Sequence, residues 1–326
     1  MKIDKKRLEI LDSLRGLAAL AVCFGHLSRA LPDGFLKSAF FHGNKGVDVF
    51  FVISGFVIPL SLNRSGGKWR EIPLFLWKRF IRLYPAYFMA ILIFVLLWFL
   101  SGLFPGFRGQ SVQVGVKSIF ANLLFLCDIV GVPWLILVSW SLAIEWQYYL
   151  AVAFCFPFLS NRIHWIRLLT VCIWISLVSL PLGKPWLPAY GGIFALGFLS
   201  YLRWRNEIPT WIFLILSCLA ASCHGAGFGV AHGAAALFSA LAVLLPWNGY
   251  QWTRFLGKIS YSLYLTHILV GARIINLSLR FHEGWIVRGA FFIAALAVST
   301  LFAWCFYKMI ENPSHLASQR FGKATR

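Results

Sequence analysis

Acidic side chains are scarce: the 326-residue chain has 11 Asp and Glu against 30 Lys and Arg, and charged residues make up only 13% of it. Soluble domains carry about a quarter charged residues. This chain therefore has too few polar side chains to clothe a water-facing surface, and its 60% hydrophobic content excludes disorder. Its solvent is mostly lipid. Cysteine supplies no framework either. The seven, Cys23, Cys127, Cys155, Cys172, Cys218, Cys223 and Cys305, are odd in number, lie nearly all within apolar stretches and show no CxxC or metal-ligand spacing. They read as small buried hydrophobes, and no bound metal is expected. There is no soluble stretch longer than about 25 residues and no tandem repeat of fixed period. Function must reside in helices or short loops.

What is present is a succession of apolar runs. A span needs about 20 largely apolar residues. Candidates fall at 11–30, 46–62, 83–102, 139–159, 167–182, 189–202, 209–223, 229–247, 256–275 and 286–307. The expected fold is all-α: a polytopic membrane bundle of about ten helices, with one membrane domain over 8–313 and a basic cytoplasmic tail over 314–326. The basic start Lys2, Lys5, Lys6 and Arg7 looks like that of a signal peptide, but Asp12 and Arg15 interrupt its apolar run, so the segment is expected to stay as an anchor.

The formal net charge of +19 could suggest nucleic acid, but the basic residues sit in short clusters between spanning runs. Membrane orientation accounts for them, and no nucleic-acid partner is expected. With ten spans and both termini cytoplasmic, 20 basic residues lie inside and nine outside, with Arg15 within a helix. The stretch 117–138 is long enough to cross but holds Asp128, Gly131 and Pro133. Were it to cross, the balance would become 14 to 15 and the bias would vanish. It is expected to be re-entrant or surface-lying.

Ionisable side chains placed in lipid are costly, so each marks a candidate site. In LDSLRGLAALAVCFGH, Arg15 and His26 are eleven residues apart, which at 100° per residue returns His26 to within about 20° of Arg15. His26 then stands roughly 16 Å further along the helix. Asp12, at i−3 from Arg15, can neutralise it. His26 reads either as a polar residue bonded between helices or as a catalytic base, since a buried neutral imidazole can accept a proton. The segment 63–83 holds six basic residues against Glu71. Most read as contacts to lipid headgroups. Arg79 and Arg82, in KRFIRLYP, share a helical face and could grip a phosphate with paired guanidinium forks. In WSLAIEWQYYL, Ser141, Glu145 and Tyr149 fall at i, i+4 and i+8. Glu145 reads either as one half of an ion pair or as a candidate proton carrier or orienter of His26. GVDVFFVISGF places Asp48 near the outer end of the second helix and Ser54 mid-helix; its glycines read as packing sites. GKISYSLYLTH reads mainly as interhelical hydrogen bonding, with His267 a subsidiary site candidate.

In this order the pieces resemble the acyltransferase 3 family of integral-membrane O-acyltransferases, from about Leu8 to Pro313. Characteristic of that family are a basic residue separated by ten residues from a first-helix His (Arg15 and His26), GVDxFFxxSGF, an RxxR pair (Arg79 and Arg82), WSLxxE (Trp140 to Glu145), SYSLYLxH and a closing ENP (Glu311 to Pro313). The resemblance implies an acyl-coenzyme A donor, usually acetyl, reaching the protein from the cytoplasm. It also implies a hydroxyl acceptor on a saccharide, such as a surface polysaccharide or its lipid-linked precursor, in a bacterial inner membrane. Acyl-coenzyme A would be a substrate, and no permanently bound cofactor is expected. Its phosphates would meet Arg79, Arg82 and Arg15, with His26 as base and Glu145 orienting or recharging it. Asp12, Asp48, Ser54, Ser141 and Tyr149 would support them. A covalent acyl-histidine relay is the alternative chemistry. Some relatives carry a further periplasmic hydrolase-like domain; with Arg326 soon after the last helix, a stand-alone membrane transferase is expected. Rival readings are a secondary transporter, which would also bury charge in a bundle, and a non-catalytic scaffold.

Overall fold

The computed structural model describes residues 5–64, 69–103, 114–159, 164–180, 182–247, 249–278 and 284–321. Lys2, Lys68, Arg108, Arg162, Arg280, Lys323 and Arg326, all counted in the charge balance, lie outside the described residues. The fold is 86% helix, with no strand among the described residues. In chain order the α-helices are α1 (Lys5–Leu27), α2 (Phe35–Phe41), α3 (Gly46–Arg64), α4 (Ile72–Gly102), α5 (Val116–Leu123), α6 (Cys127–Val130) and α7 (Ser139–Leu159). There follow α8 (His164–Ser176), α9 (Gly191–Trp204), α10 (Thr210–Phe228), α11 (Val230–Ala242), α12 (Gln251–Ser278), α13 (Trp285–Phe306) and α14 (Asn312–Arg320).

Each of the ten apolar runs holds one helix. Among the described residues five helical stretches, Glu9–Ala30, Phe35–Arg64, Trp69–Gly102, Thr210–Phe228 and Trp285–Arg320, are long and apolar enough to cross a membrane. Others are short: α9 has 14 residues, a rise of about 21 Å against a hydrocarbon core of about 30 Å. The third run begins earlier than its apolar stretch suggests. Helix α4 starts at Ile72 and passes through Pro85 unbroken, because Lys and Arg are good helix formers. Arg79 and Arg82 therefore stand inside a helix rather than before one.

The chain divides into two compact units. One comprises Met1–Ala18, Lys45–Leu76 and Ile144–Lys258. At its centre is α9, buried from Gly191 to Leu202. Helix α3 crosses it at Gly55 and Gly197: a Cβ on Gly55 would stand 2.4 Å from the Phe194 carbonyl oxygen, and one on Gly197 would stand 2.1 Å from that of Val52. Only glycine permits that approach, so Gly55 packs helices as the sequence suggests. In the same unit the start of α1 is clamped to the start of α12. A Cβ on Gly257 would meet the Asp12 carbonyl oxygen at 2.1 Å. Beside this contact, Ser13 and Thr253 hydroxyls lie 2.9 Å apart and Arg254 pairs with Glu9 at 2.9 Å.

The other unit comprises Ala19–Asn44, Trp77–Ala143 and Ile259–Arg326. Here 117–138 is broken into α5 and α6, of eight and four residues, neither of spanning length. Asn122 organises it: its amide donates to Ser118 O at 2.9 Å and Pro133 O at 3.2 Å, and its Oδ1 accepts from Leu135 N at 2.9 Å. The Tyr84 and Tyr87 hydroxyls of α4 donate to the carbonyls of Leu123 and Asn122. A single π turn, Tyr307–Glu311, ends α13. It buries the Glu311 carboxylate, which accepts from both N–H and Oγ of Ser262 at 3.1 and 2.5 Å.

Candidate functional site

The end of α1 is held by close backbone contacts within the second unit. A Cβ on Gly43 would meet the Ala21 carbonyl oxygen at 1.9 Å and Gly25 N at 3.0 Å, so the turn before α3 lies against the helix one residue before His26. Gly271 of α12 adds a side-chain contact, where a Cβ would stand 2.6 Å from Leu27 Cδ2 and 2.7 Å from Ser299 Oγ. These contacts place two imidazoles side by side. His26 Nδ1 is 2.9 Å from His267 Nε2, with ring centroids 5.1 Å apart and planes 19° from parallel. His267 is fully buried, and its Nδ1 is 2.9 Å from the carbonyl oxygen of Leu263.

The tautomers follow from these partners. A carbonyl oxygen can only accept, so His267 carries its proton on Nδ1 and offers a bare Nε2. That Nε2 must accept, so His26 carries its proton on Nδ1. A neutral His26 is then left with a bare Nε2, the nitrogen that can act as base or nucleophile. His26 is half-buried while His267 is not exposed at all, so of the two His26 is the one a reactant can reach. The residue hydrogen-bonded to this ring is His267, the subsidiary candidate of GKISYSLYLTH.

Glu145 belongs to the first unit. Two donors meet one of its oxygens: Ser54 Oγ donates to Oε1 at 2.7 Å and the Tyr149 hydroxyl at 2.5 Å. Tyr149 and Ser54 are buried, and Glu145 is half-buried. The i, i+4 spacing thus brings Tyr149 to Glu145 as expected, and the Gly55 crossing delivers Ser54. Ser141, on the same face of α7, engages elsewhere: its Oγ is 2.6 Å from the Tyr264 hydroxyl and 2.9 Å from Val138 O.

Arg15 is half-buried with its Nη1 4.0 Å from Asp12 Oδ1, a loose i, i+3 pair. Arg79 and Arg82 are half-buried on one face of α4, three residues apart. Asp48 is buried near the start of α3 and meets two histidines that the sequence reading did not single out. Its Oδ2 is 2.6 Å from His232 Nδ1 and its Oδ1 3.4 Å from His224 Nε2. The one signal for them was two histidines eight residues apart across a glycine-rich turn.

Comparison with known proteins points in one direction. The family profile of an acyltransferase domain matches residues 8–308. The peptidoglycan O-acetyltransferase OatA of Listeria monocytogenes is 32% identical over 55% of this chain, which covers 29% of that protein. The O-acetyltransferase OatA of Staphylococcus aureus is 32% identical over 53% of this chain, covering 28% of its length. The chain therefore spans under a third of these two relatives. The acyltransferase MdmB of Streptomyces mycarofaciens is 25% identical over 94% of this chain and 91% of its own length. No solved structure matches.

Proposed function

The chain belongs to the acyltransferase family whose domain it matches over residues 8–308, and from that premise we propose that it is a membrane-embedded O-acyltransferase moving an acetyl group from acyl-coenzyme A to a saccharide hydroxyl. The observation that carries the reaction is the His26 ring, whose Nδ1 is engaged by His267 and whose Nε2 is thereby left bare. In the proposed step, Nε2 takes the proton of the acceptor hydroxyl as its oxygen attacks the thioester carbonyl. The carbon–sulfur bond breaks, and the coenzyme leaves as a thiol once the imidazolium returns the proton. Glu145, held by Ser54 and Tyr149, is the second ionisable group assigned to the proton balance. Arg15, Arg79 and Arg82 are assigned to the phosphates of the donor. The saccharide acceptor rests on the names of the two O-acetyltransferase relatives, one of them a peptidoglycan enzyme.

The same bare nitrogen could instead attack the thioester itself and form an acyl-imidazole. Incubation with labelled acetyl-coenzyme A and no acceptor separates the two routes, because only the second leaves label on the chain. The topology is part of the proposal: ten crossings, both ends cytoplasmic, in a bacterial inner membrane. Reporter fusions at Arg162 and Arg326 test it, and an outer-face signal from either would refute it. The central test uses purified protein in detergent. It should transfer label from acetyl-coenzyme A to a saccharide without any gradient, which a carrier could not do. His26→Ala should abolish transfer at unchanged membrane abundance; retained turnover would overturn the assignment.

A further inference from the structure

Helices α10 and α11 form a tight hairpin in the first unit. Their turn is Gly229, at φ 106°, where an L side chain is strained. A Cβ on Gly233 would stand 2.4 Å from the Ala221 carbonyl oxygen, so the two backbones touch one turn away from the histidines. This register brings His224, near the end of α10, and His232, near the start of α11, to Asp48 in the first turn of α3. One ligand atom from each of the three lies within 4.8 Å of the other two.

Hydrogen bonding explains only half of this cluster. The 2.6 Å contact of Asp48 with His232 is a short charge-assisted bond, and a cation that takes His232 Nδ1 must release its proton to solvent. The 3.4 Å contact with His224 is longer than a normal N–H···O bond, yet His224 is fully buried and its other nitrogen, Nδ1, has no partner among the described residues. A buried imidazole held by so little is costly. Bonds of about 2.1 Å from a tetrahedral zinc to nitrogen and oxygen place adjacent ligand atoms about 3.4 Å apart. The His224–Asp48 separation that is poor for a hydrogen bond matches the edge of that tetrahedron, while the 2.6 Å His232–Asp48 pair has to open by about 0.8 Å to reach it.

We propose that Asp48, His224 and His232 form a binding site for a divalent transition cation, best fitted by zinc, which ties the start of α3 to the α10–α11 hairpin. Two neutral imidazoles and one carboxylate are a zinc-type set; calcium and magnesium prefer all-oxygen shells. The three residues lie on three different helices, so the ion acts as a clasp. The His232 side chain is 24% exposed, which gives the ion its route in and leaves water as the fourth ligand. This inference is independent of the His26 chemistry.

The test is binding and stability, not turnover. The full chain in detergent is stripped with a chelator, equilibrated with zinc, desalted and analysed for metal. One zinc per chain is expected. At a hundredfold excess over Kd, zinc should raise the melting midpoint by about 4 °C. Cobalt(II) should give the intense visible absorption of a tetrahedral site. His232→Ala and Asp48→Asn should each lower zinc affinity at least tenfold and remove the thermal shift. His232→Gln serves the same purpose if the alanine variant is not monodisperse. Wild-type protein that retains no zinc overturns the proposal, and so does zinc retained equally by all three variants, which would place the metal elsewhere, as at the free cysteines.

Discussion

Nδ1 of His26 lies 2.9 Å from Nε2 of His267, so a residue 241 positions away decides which nitrogen of the first helix can take a proton. Removing that partner lets the His26 ring reorient and exchange tautomers. His267→Ala should lower kcat by about 10²-fold, with little change in KM for either substrate. His267→Gln, whose amide oxygen can still accept from Nδ1–H, should recover part of the loss. A merely structural role would not be rescued in this way, and identical rates for the two variants would argue against a positioning role.

Arg79 and Arg82 offer guanidinium forks from one face of α4, while an acceptor hydroxyl presents them no charge. Arg79→Ala with Arg82→Ala should raise KM for acetyl-coenzyme A by at least tenfold, with KM for the saccharide within about twofold, if each fork contributes the 1.5–3 kcal/mol typical of a charged hydrogen bond. Steady-state kinetics at varied donor and fixed acceptor decide it. An unchanged donor KM removes the pair from that role.

Gly55 carries the α3–α9 crossing and, beside it, the hydroxyl that Ser54 presents to Glu145. Gly55→Ala drives a methyl to within 2.4 Å of a backbone oxygen that cannot yield cheaply. A loss of about 1–3 kcal/mol is expected, read as a lower unfolding midpoint in detergent. Gly289→Ala, inside α13 where an added Cβ meets nothing within 4 Å, is the control and should gain about 0.5–1 kcal/mol through helix propensity.

Glu145 Oε1 accepts from both Ser54 and Tyr149. Tyr149→Phe and Ser54→Ala should each cost about 1–3 kcal/mol. Because the two donors share one oxygen, the double variant should depart from additivity by 0.5 kcal/mol or more. Thermal unfolding of the four proteins of the cycle measures the coupling, and strict additivity would mean the donors act separately.

Local pattern made much of this legible. The apolar runs marked the helices, the eleven-residue interval marked His26, and the four-residue interval joined Glu145 to Tyr149. The break in 117–138 was readable from Asp128, Gly131 and Pro133. Less visible was everything set by tertiary contact. Nothing near His26 announces His267, and nothing near Asp48 announces His224 or His232, because these pairings depend on which glycines let helices approach. The start of α4 was also hidden: a basic cluster interrupts hydropathy without interrupting the helix. Ser141 shared a face with Glu145 on α7, but its hydroxyl follows Tyr264 instead.

The bond between Ser262 and Glu311 has a consequence for biogenesis. The two are 49 residues apart, so at roughly 5–20 residues per second the ribosome needs about 2–10 s to supply the carboxylate after the serine has been made. Through that interval the Ser262 hydroxyl lacks its carboxylate partner, and the bond can close only after Glu311 has been added. A pause in translation between these codons should lengthen the life of a protease-sensitive intermediate in which this bond is still open.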